Sequence, residues 1–262
     1  MRTTAALTLA CTLAACPALA QETSAPTKPE QPAKTTQPDA GAKLPDGFAI
    51  LEKHVEAVGG EEKNKAFKAS RMSGEFSIPA MDLTGEITIS SKAPSSTLIV
   101  VDLPGMGQVV QGTDGKLVWA AQPGQRMQVL EGGQAEELKN QAQFYASIEP
   151  RKTYTEAKAV AIVEHEGTRC YKVNLTTSWG SHQVGLYEVE TGLLRKMSVR
   201  ASAESDTYTN ETAFSDYQET QGIKHARRLE LNNGQMQQVM TFHTVELDPE
   251  FEEGLFDPPG EL

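Results

Sequence analysis

The sequence predicts a mainly β fold of the α+β class: a large curved antiparallel sheet of about eleven strands that forms an incompletely closed β-barrel covered by two or more helices. Two patterns predict it. Hydrophobic and polar residues alternate along most of the chain from residue 67 onward, whereas helical three- and four-residue spacing occurs in only two stretches. So many successive strands do not fit an α/β fold, and a sheet of this size either closes into a barrel or wraps around a helix.

The clearest strand–turn–strand pattern lies between Phe214 and Leu247. Asn232-Asn233-Gly234 supplies the Asn-Gly that a tight hairpin turn favours at positive φ. A ribbon of two long antiparallel strands is unstable alone, so the rest of the chain must supply further strands and a cover for its apolar face. In the second strand, period two places Met240 and Phe242 on one side. The opposite side carries Val239, Thr241, His243 and Val245.

Composition limits the number of domains and the class of partner. A chain of 262 residues with 39% apolar residues can bury one sizeable core or two small ones. The formal net charge of −11 gives no basic footprint of the kind that non-specific nucleic-acid binding requires. We therefore predict no nucleic-acid partner.

Residues 1–20 are predicted to be an export signal. Arg2 gives a short positive region, an apolar stretch follows, and Ala18-Leu19-Ala20 before Gln21 fits an A-x-A cleavage site. In the alternative interpretation, residues 13–16 form a lipobox and lipidation of Cys16 anchors the protein to a membrane. Both interpretations predict an exported protein. We predict a periplasmic location, with a membrane-anchored lipoprotein as the alternative.

Two regions follow the predicted signal. Residues 21–43 are rich in Pro, Thr and Gln and almost free of large apolar side chains, so they are predicted to be a disordered tether. Residues 44–262 are predicted to form the folded half-barrel domain. Its first element is an amphipathic helix, with Asp46 as the predicted N-cap and Gly59-Gly60 as the stop signal.

A second helical pattern interrupts the strands between Gly132 and Ser147, and Pro150 ends it. A single helix in the middle of a run of strands has two interpretations. It can cover the face of the sheet, or it can carry the chain from one sheet edge to the other. The residues that share its apolar face are Ala135, Leu138, Ala142, Tyr145 and Ala146.

The sequence contains none of the common catalytic or cofactor motifs, including the P-loop, the dinucleotide fingerprint, HExxH, CxxC and GxSxG. Ser181-His182 are adjacent, and adjacent side chains do not form a nucleophile–base pair, so both are predicted to be exposed turn residues. Cys170 is predicted to be a small buried hydrophobe. The isolated His54, His225 and His243 are predicted to be structural or surface residues. We predict no catalytic residue, no metal ligand and no cofactor.

Apolar surface is the remaining signal of function. Two short helices do not readily fill the concave side of a curved sheet of this size, so the sequence predicts a hydrophobic cavity there. For any single residue, tight packing in the core is the alternative. The candidate cavity residues are Phe76, Ile87, Ile89, Leu98, Val100, Trp119, Met197, Val199, Met240 and Phe242.

Three strand–turn signatures carry a resemblance to a known family. They are residues 114–119 (DGKLVW), residues 190–195 (ETGLLR), and residues 214–217 (FSDY) with 221–223 (QGI). Together with the leader, the tether and the first helix, they make the chain similar to the outer-membrane lipoprotein-sorting protein (LolA-like) superfamily from Leu44 to Pro259. The resemblance implies an incompletely closed antiparallel barrel whose helix-covered opening leads to an apolar cavity for the acyl chains of lipoproteins.

The chain departs from a typical carrier of this family in its long tether, its length and the polar second helix around Glu136-Glu137. No functional residue of the family can be assigned to a position here. The resulting hypothesis is a non-enzymatic cell-envelope protein that binds a lipid or an acylated polypeptide, with lipoprotein transport as one use. Further partners are other envelope proteins, and a membrane if Cys16 is lipidated.

Two alternatives remain open. The first is an envelope protein-binding or sensor module that uses the sheet surface and has no lipid ligand. The second is a hydrolase that uses Ser181 or His165.

Overall fold

The fold is seen in a computed structural model that describes residues 44–258, so the predicted export signal, Cys16 and the tether lie outside the described residues. The α-helices are Gly47–Ala57 (α1), Glu61–Ala66 (α2), Gly132–Gln141 (α3) and Pro150–Thr153 (α4). The strands are Ala69–Ile78 (β1), Leu83–Lys92 (β2), Ser96–Leu103 (β3), Gly107–Thr113 (β4), Val118–Ala121 (β5), Gln128–Leu130 (β6), Tyr154–His165 (β7), Thr168–Thr177 (β8), His182–Glu188 (β9), Leu194–Arg200 (β10), Tyr208–Thr220 (β11), Ile223–Asn232 (β12) and Gln237–Leu247 (β13).

The strands form one antiparallel sheet in the order β6-β5-β4-β3-β2-β1-β13-β12-β11-β10-β9-β8-β7. Every strand pairs with its neighbours in sequence, except that β1 pairs with β13 and the two edge strands do not pair with each other. The predicted mainly β, open antiparallel sheet is therefore confirmed. It has thirteen strands where about eleven were predicted.

The sheet consists of two meanders, β1–β6 and β7–β13, which meet where β1 pairs with β13. The chain between them runs from one sheet edge, β6, to the other edge, β7, and contains α3 and α4. Both interpretations of the second helical pattern apply, because this crossover also covers part of the concave face. The helix itself ends at Gln141, earlier than the predicted Ser147.

The predicted first helix is confirmed as α1. The Asp46 carboxylate accepts a hydrogen bond from the Ala49 N–H at 3.2 Å, and Gly59 and Gly60 follow the helix with φ of 120° and 83°. The short helix α2 was not predicted, because its sequence EEKNKA has no apolar stripe to produce a helical period.

The two predicted long strands are confirmed as β12 and β13. Their loop is longer than the tight turn expected: the pairing ends at Asn232 and Gln237, and the Asn233 Oδ1 accepts hydrogen bonds from the N–H groups of Gln235 and Met236. Gly234 has the positive φ, 81°. The asparagine side chain therefore replaces part of the backbone pairing that closes a shorter turn.

A β-bulge corrects the predicted sides of β13. Met72 and Gly74 lie on one face of β1, where their partners on β13 are Val245 and Phe242. The register shifts between these pairs, which leaves His243 as the additional residue. Val245 therefore shares a face with Phe242, and the prediction that it lies on the opposite side is wrong.

Candidate functional site

A cavity of about 340 Å³ lies between the concave face of the sheet, α1 and the segment of residues 141–148 that follows α3. This volume is at the lower end of the range of small-molecule sites, about 300–1,000 Å³. Most of its lining is aliphatic or aromatic, with Leu51, Met72, Leu194 and Phe214 as examples. The cavity reaches the surface, because the exposed Lys224 also lines it.

Helix α1 forms one wall because both of its ends are fixed to the sheet. At its start, Gly47 lies so close to β7 that a Cβ atom there would be 2.3 Å from the Ala157 carbonyl oxygen, which only glycine permits. At its end, the Val58 carbonyl accepts a hydrogen bond from the Lys224 N–H on β12 at 3.1 Å. The buried apolar face of α1, including Leu51, therefore spans the concave side of the sheet.

Residues 141–148 form the second wall. The Phe144 N–H donates to the Pro94 carbonyl at 2.9 Å, and the Tyr145 hydroxyl donates to the Phe67 carbonyl at 2.9 Å. Ile148 packs with Val55 at the α1 side. This wall is held mainly by a few hydrogen bonds and one small apolar cluster, and it has no β-ladder of its own.

The wall on the sheet side is split between β12 and β13. These strands pair from Asn232 and Gln237 only as far as Arg228 and Thr241, although β12 begins at Ile223 and β13 runs to Leu247. Beyond that point β12 pairs with β11, and β13 pairs with β1 across the bulge. The residues on the two sides of the split, Lys224 to Ala226 and Phe242 with Leu247, line the cavity.

The ten candidate residues fall into three groups. Met197 and Phe242 line the cavity. Phe76, Ile87, Ile89 and Met240 belong to the concave core cluster but are packed solid, at 0–2% exposure. Val199, on the strand of Met197, joins this second group because it too is buried without lining the cavity.

Leu98, Val100 and Trp119 form the third group, and they lie outside the concave core. Leu98 and Trp119 pack with Phe256 in a separate cluster, and Val100 contacts the same cluster. The alternating residues of β3, Ile99 and Val101, belong to the concave core, so Leu98 and Val100 point to the opposite, convex face. The prediction that these three face the cavity is wrong. Because β3 is apolar on both faces, period two could not distinguish the sides of Leu98 and Val100, and the side of Trp119 on β5 depends on its packing with the distant Phe256.

Several polar aromatic residues that line the cavity were not predicted. His54 on α1 meets Tyr187 edge to face, with ring centroids 5.5 Å apart. The Tyr217 hydroxyl donates to the Leu194 carbonyl at 2.7 Å. Tyr154 also lines the cavity, and its hydroxyl donates to the Gln183 Oε1 at 3.4 Å. A sequence signal for His54 existed, since it is the one histidine within the apolar spacing of the first helix.

Burial determines the protonation of these side chains. Removal from water lowers the pKa of His54 to about 4, which the Gly192 carbonyl, 3.0 Å from its Nδ1, only partly offsets. Because a carbonyl can only accept, the neutral ring carries its proton on Nδ1 and leaves Nε2 unprotonated. Burial likewise lowers the pKa of His225 to about 4, with a smaller contribution from nearby Arg227. Burial also raises the pKa values of Tyr154, Tyr187 and Tyr217. The wall is therefore uncharged at neutral pH, apart from Lys224 at its rim.

The reactive residue types elsewhere do not form a site. Cys170 is fully buried against Val163 and Leu186, as predicted, and burial raises the pKa of its thiol to about 11. Ser181 is 1% exposed, and His182 is half-buried and begins β9, so the prediction that both are exposed turn residues is wrong. Among residues 44–258, no cluster of three His, Cys, Asp or Glu side chains could hold a metal ion.

No helix in the described part of the chain has both the length and the apolar character needed to cross a membrane. Neither the comparison with protein-family models nor that with curated proteins gives a match.

Solved structures, in contrast, resemble this fold along most of its length. A DUF1329 family protein from Desulfovibrio piger matches with a TM-score of 0.59 at 15% identity, over 82% of this chain and 98% of that one. A LolA superfamily protein from Nitrosomonas europaea matches with a TM-score of 0.56 at 12% identity, over 82% and 99%. A domain described as a putative outer membrane lipoprotein-sorting protein from Vibrio parahaemolyticus matches with a TM-score of 0.54 at 14% identity, over 79% of this chain and 97% of that one. The chain therefore has a LolA-like fold.

Proposed function

We propose that this protein is a non-enzymatic binding protein of the cell envelope that receives the acyl chain of a lipid or of a lipidated polypeptide. One observation carries the proposal: a cavity of about 340 Å³, lined mainly by apolar and aromatic side chains, remains between the concave face and its covering segments. Closely packed cores leave few voids larger than a water molecule, so a hollow of this size is a candidate for a ligand.

Burial of hydrocarbon provides the driving force. Each CH₂ group transferred from water contributes about 0.8 kcal/mol. The neutral imidazole of His54 and the hydrogen-bonded Tyr217 hydroxyl add no charge to the apolar wall. A chain longer than the cavity requires residues 141–148 to move outward, and this wall is held by fewer interactions than the sheet.

The cellular setting is part of the proposal. The predicted export signal directs the chain out of the cytoplasm, and a LolA-like fold is shared with a domain described as lipoprotein-sorting. We place the protein in the periplasm, where it would carry or hold its lipid ligand. Attachment through Cys16 remains the alternative.

The experiment is to fill the cavity. Ala226 lines it at the split, and Ala226→Phe inserts a ring into that space. Displacement of a fluorescent fatty-acid probe should show binding to the wild type and at least about tenfold weaker binding to this variant, because filling removes the space for several CH₂ groups. Ala203→Phe, at an exposed position, is the matched control and should bind as the wild type does. Equal binding by all three proteins would rule out this cavity as the site.

A further inference from the structure

The rim of the cavity carries a positive group of side chains on a chain whose formal net charge is −11. Lys224 on β12 lines the cavity where β12 and β13 separate. Lys63 on α2 reaches Gly222, two residues before Lys224, with its Nζ 3.8 Å from the position of a Cβ there. Lys68 places its Nζ 3.1 Å from the hydroxyl of Tyr145, which also lines the cavity.

These three lysines are not neutralised by the protein. Within residues 44–258, none of their ammonium groups lies within 4.0 Å of a carboxylate oxygen, although the backbone N–H of Lys68 donates to the Asp248 carboxylate at 2.6 Å. The nearby Lys65, in contrast, contacts both Glu61 and Glu149. The cross-strand neighbour of Lys224 is Glu219, and no ion pair joins them among the described residues. The side chains of Lys63, Lys68 and Lys224 are exposed to solution. The Lys68 ammonium donates to the Lys65 carbonyl at 2.9 Å and to the Tyr145 hydroxyl, which leaves one of its three N–H groups for a partner.

A neighbouring buried atom also lacks a partner. His225 follows Lys224 and lines the cavity, and its Nε2 is buried without a hydrogen bond in the described part of the chain. An unpaired polar atom in an apolar wall costs free energy unless a ligand or solvent supplies the missing bond. His225 is adjacent in sequence to Lys224, and both residues line the cavity.

We propose that Lys63, Lys68 and Lys224 bind the headgroup of the ligand, which is therefore an anionic amphiphile: an apolar chain that ends in a carboxylate or a phosphate. This inference rests on the proposed function and specifies its ligand class. The chain enters the cavity through the split between β12 and β13, and the anionic group stays at the rim. Because the lysines are exposed, this contribution is screened by salt, whereas burial of the chain is not.

The test compares ligands with the same chain and different headgroups. Palmitate, hexadecyl phosphate and hexadecanol compete for the fluorescent probe at low and at high salt. The wild type should bind the two anions more tightly than the alcohol, and high salt should reduce this preference. Tighter binding of palmitate indicates a fatty-acid carboxylate as the headgroup, and tighter binding of hexadecyl phosphate indicates a phospholipid phosphate.

The variant Lys63→Gln/Lys68→Gln/Lys224→Gln should lose about tenfold in affinity for the anions, since each exposed charge contributes a few-fold at most, and should bind hexadecanol as before. Lys116→Gln/Lys158→Gln/Lys172→Gln makes the same change in net charge away from the cavity and should leave all affinities unchanged. Equal affinity of the wild type for hexadecanol and for both anions would overturn the headgroup site alone. Failure of all three ligands to bind would overturn the proposed function as well.

Discussion

His54 shows how the fold determines the protonation state of a single residue at the cavity. Its ring lies against Tyr187 and its Nδ1–H donates to the Gly192 carbonyl, and these contacts fix its orientation between α1 and the β9–β10 turn. Burial keeps the ring neutral by lowering its pKa to about 4. The sequence indicated an amphipathic helix here, but it did not indicate that a histidine on this helix would be desolvated. That outcome depends on Tyr187, which is distant in sequence and is brought close only by the fold.

The first prediction concerns pH. His54 has a folded-state pKa of about 4 and an ordinary value of 6.5, so the unfolded chain binds a proton first as the pH falls. The contribution of His54 to the free energy of unfolding is therefore fully present above pH 6.5. It decreases by at most about 3 kcal/mol as the pH falls toward 4. His54→Phe should show a smaller loss of Tm between these pH values than the wild type. The exposed His243→Asn is the control and should keep the full loss; an equal loss in all three would contradict the assignment.

A second prediction separates core residues from cavity residues. Phe76 is 0% exposed in the solid core, so Phe76→Ala should cost about 3–5 kcal/mol in urea unfolding. Phe242→Ala adjoins space that already exists and should cost less. Only Phe242→Ala should alter the affinity for fatty acids of different chain length. A change of that preference in Phe76→Ala, with none in Phe242→Ala, would contradict the assignment of these two residues.

At the scale of elements, local sequence signals correctly predicted where α1 begins and ends. The alternation of apolar residues did not correctly predict on which face of the sheet each strand residue lies. Asp46 and Gly59-Gly60 correctly placed α1, because capping depends on adjacent residues. In contrast, Trp119 was assigned to the wrong face, because the choice depends on the cover that the C-terminal segment provides. The sides of β13 were also misassigned, since the bulge at His243 is created by pairing with the distant β1.

The third prediction tests whether Leu98 and Trp119 lie on the convex face. Phe256 packs against Leu98 and Trp119 on the convex face, and Phe251 meets it edge to face with centroids 5.2 Å apart. Phe256→Ala should lower the free energy of unfolding by about 2–4 kcal/mol and expose the Trp119 ring, which fluorescence quenching measures. Probe binding by the folded variant should remain as in the wild type. Loss of probe binding by the folded protein would return Leu98 and Trp119 to the ligand site.

At the scale of the whole molecule, two meanders joined at β1 and β13 leave an open sheet with a split beside that junction. The open antiparallel sheet could be predicted, because alternation and turn signals repeat along the chain. The position of the cavity could not be predicted from the sequence. It depends on where β12 and β13 stop pairing and on where residues 141–148 cross the concave face. Only Met197 and Phe242 of the predicted set therefore line the cavity.

The most direct test of the central claim is native mass spectrometry of the exported protein, purified without detergent. We expect a population with the added mass of one lipid, which is released when the protein is unfolded. Ala226→Phe should largely lose this added mass, and Ala203→Phe should retain it. A wild-type protein that carries no added mass, and acquires none after incubation with palmitate or hexadecyl phosphate, would contradict the claim that this cavity binds an acyl chain.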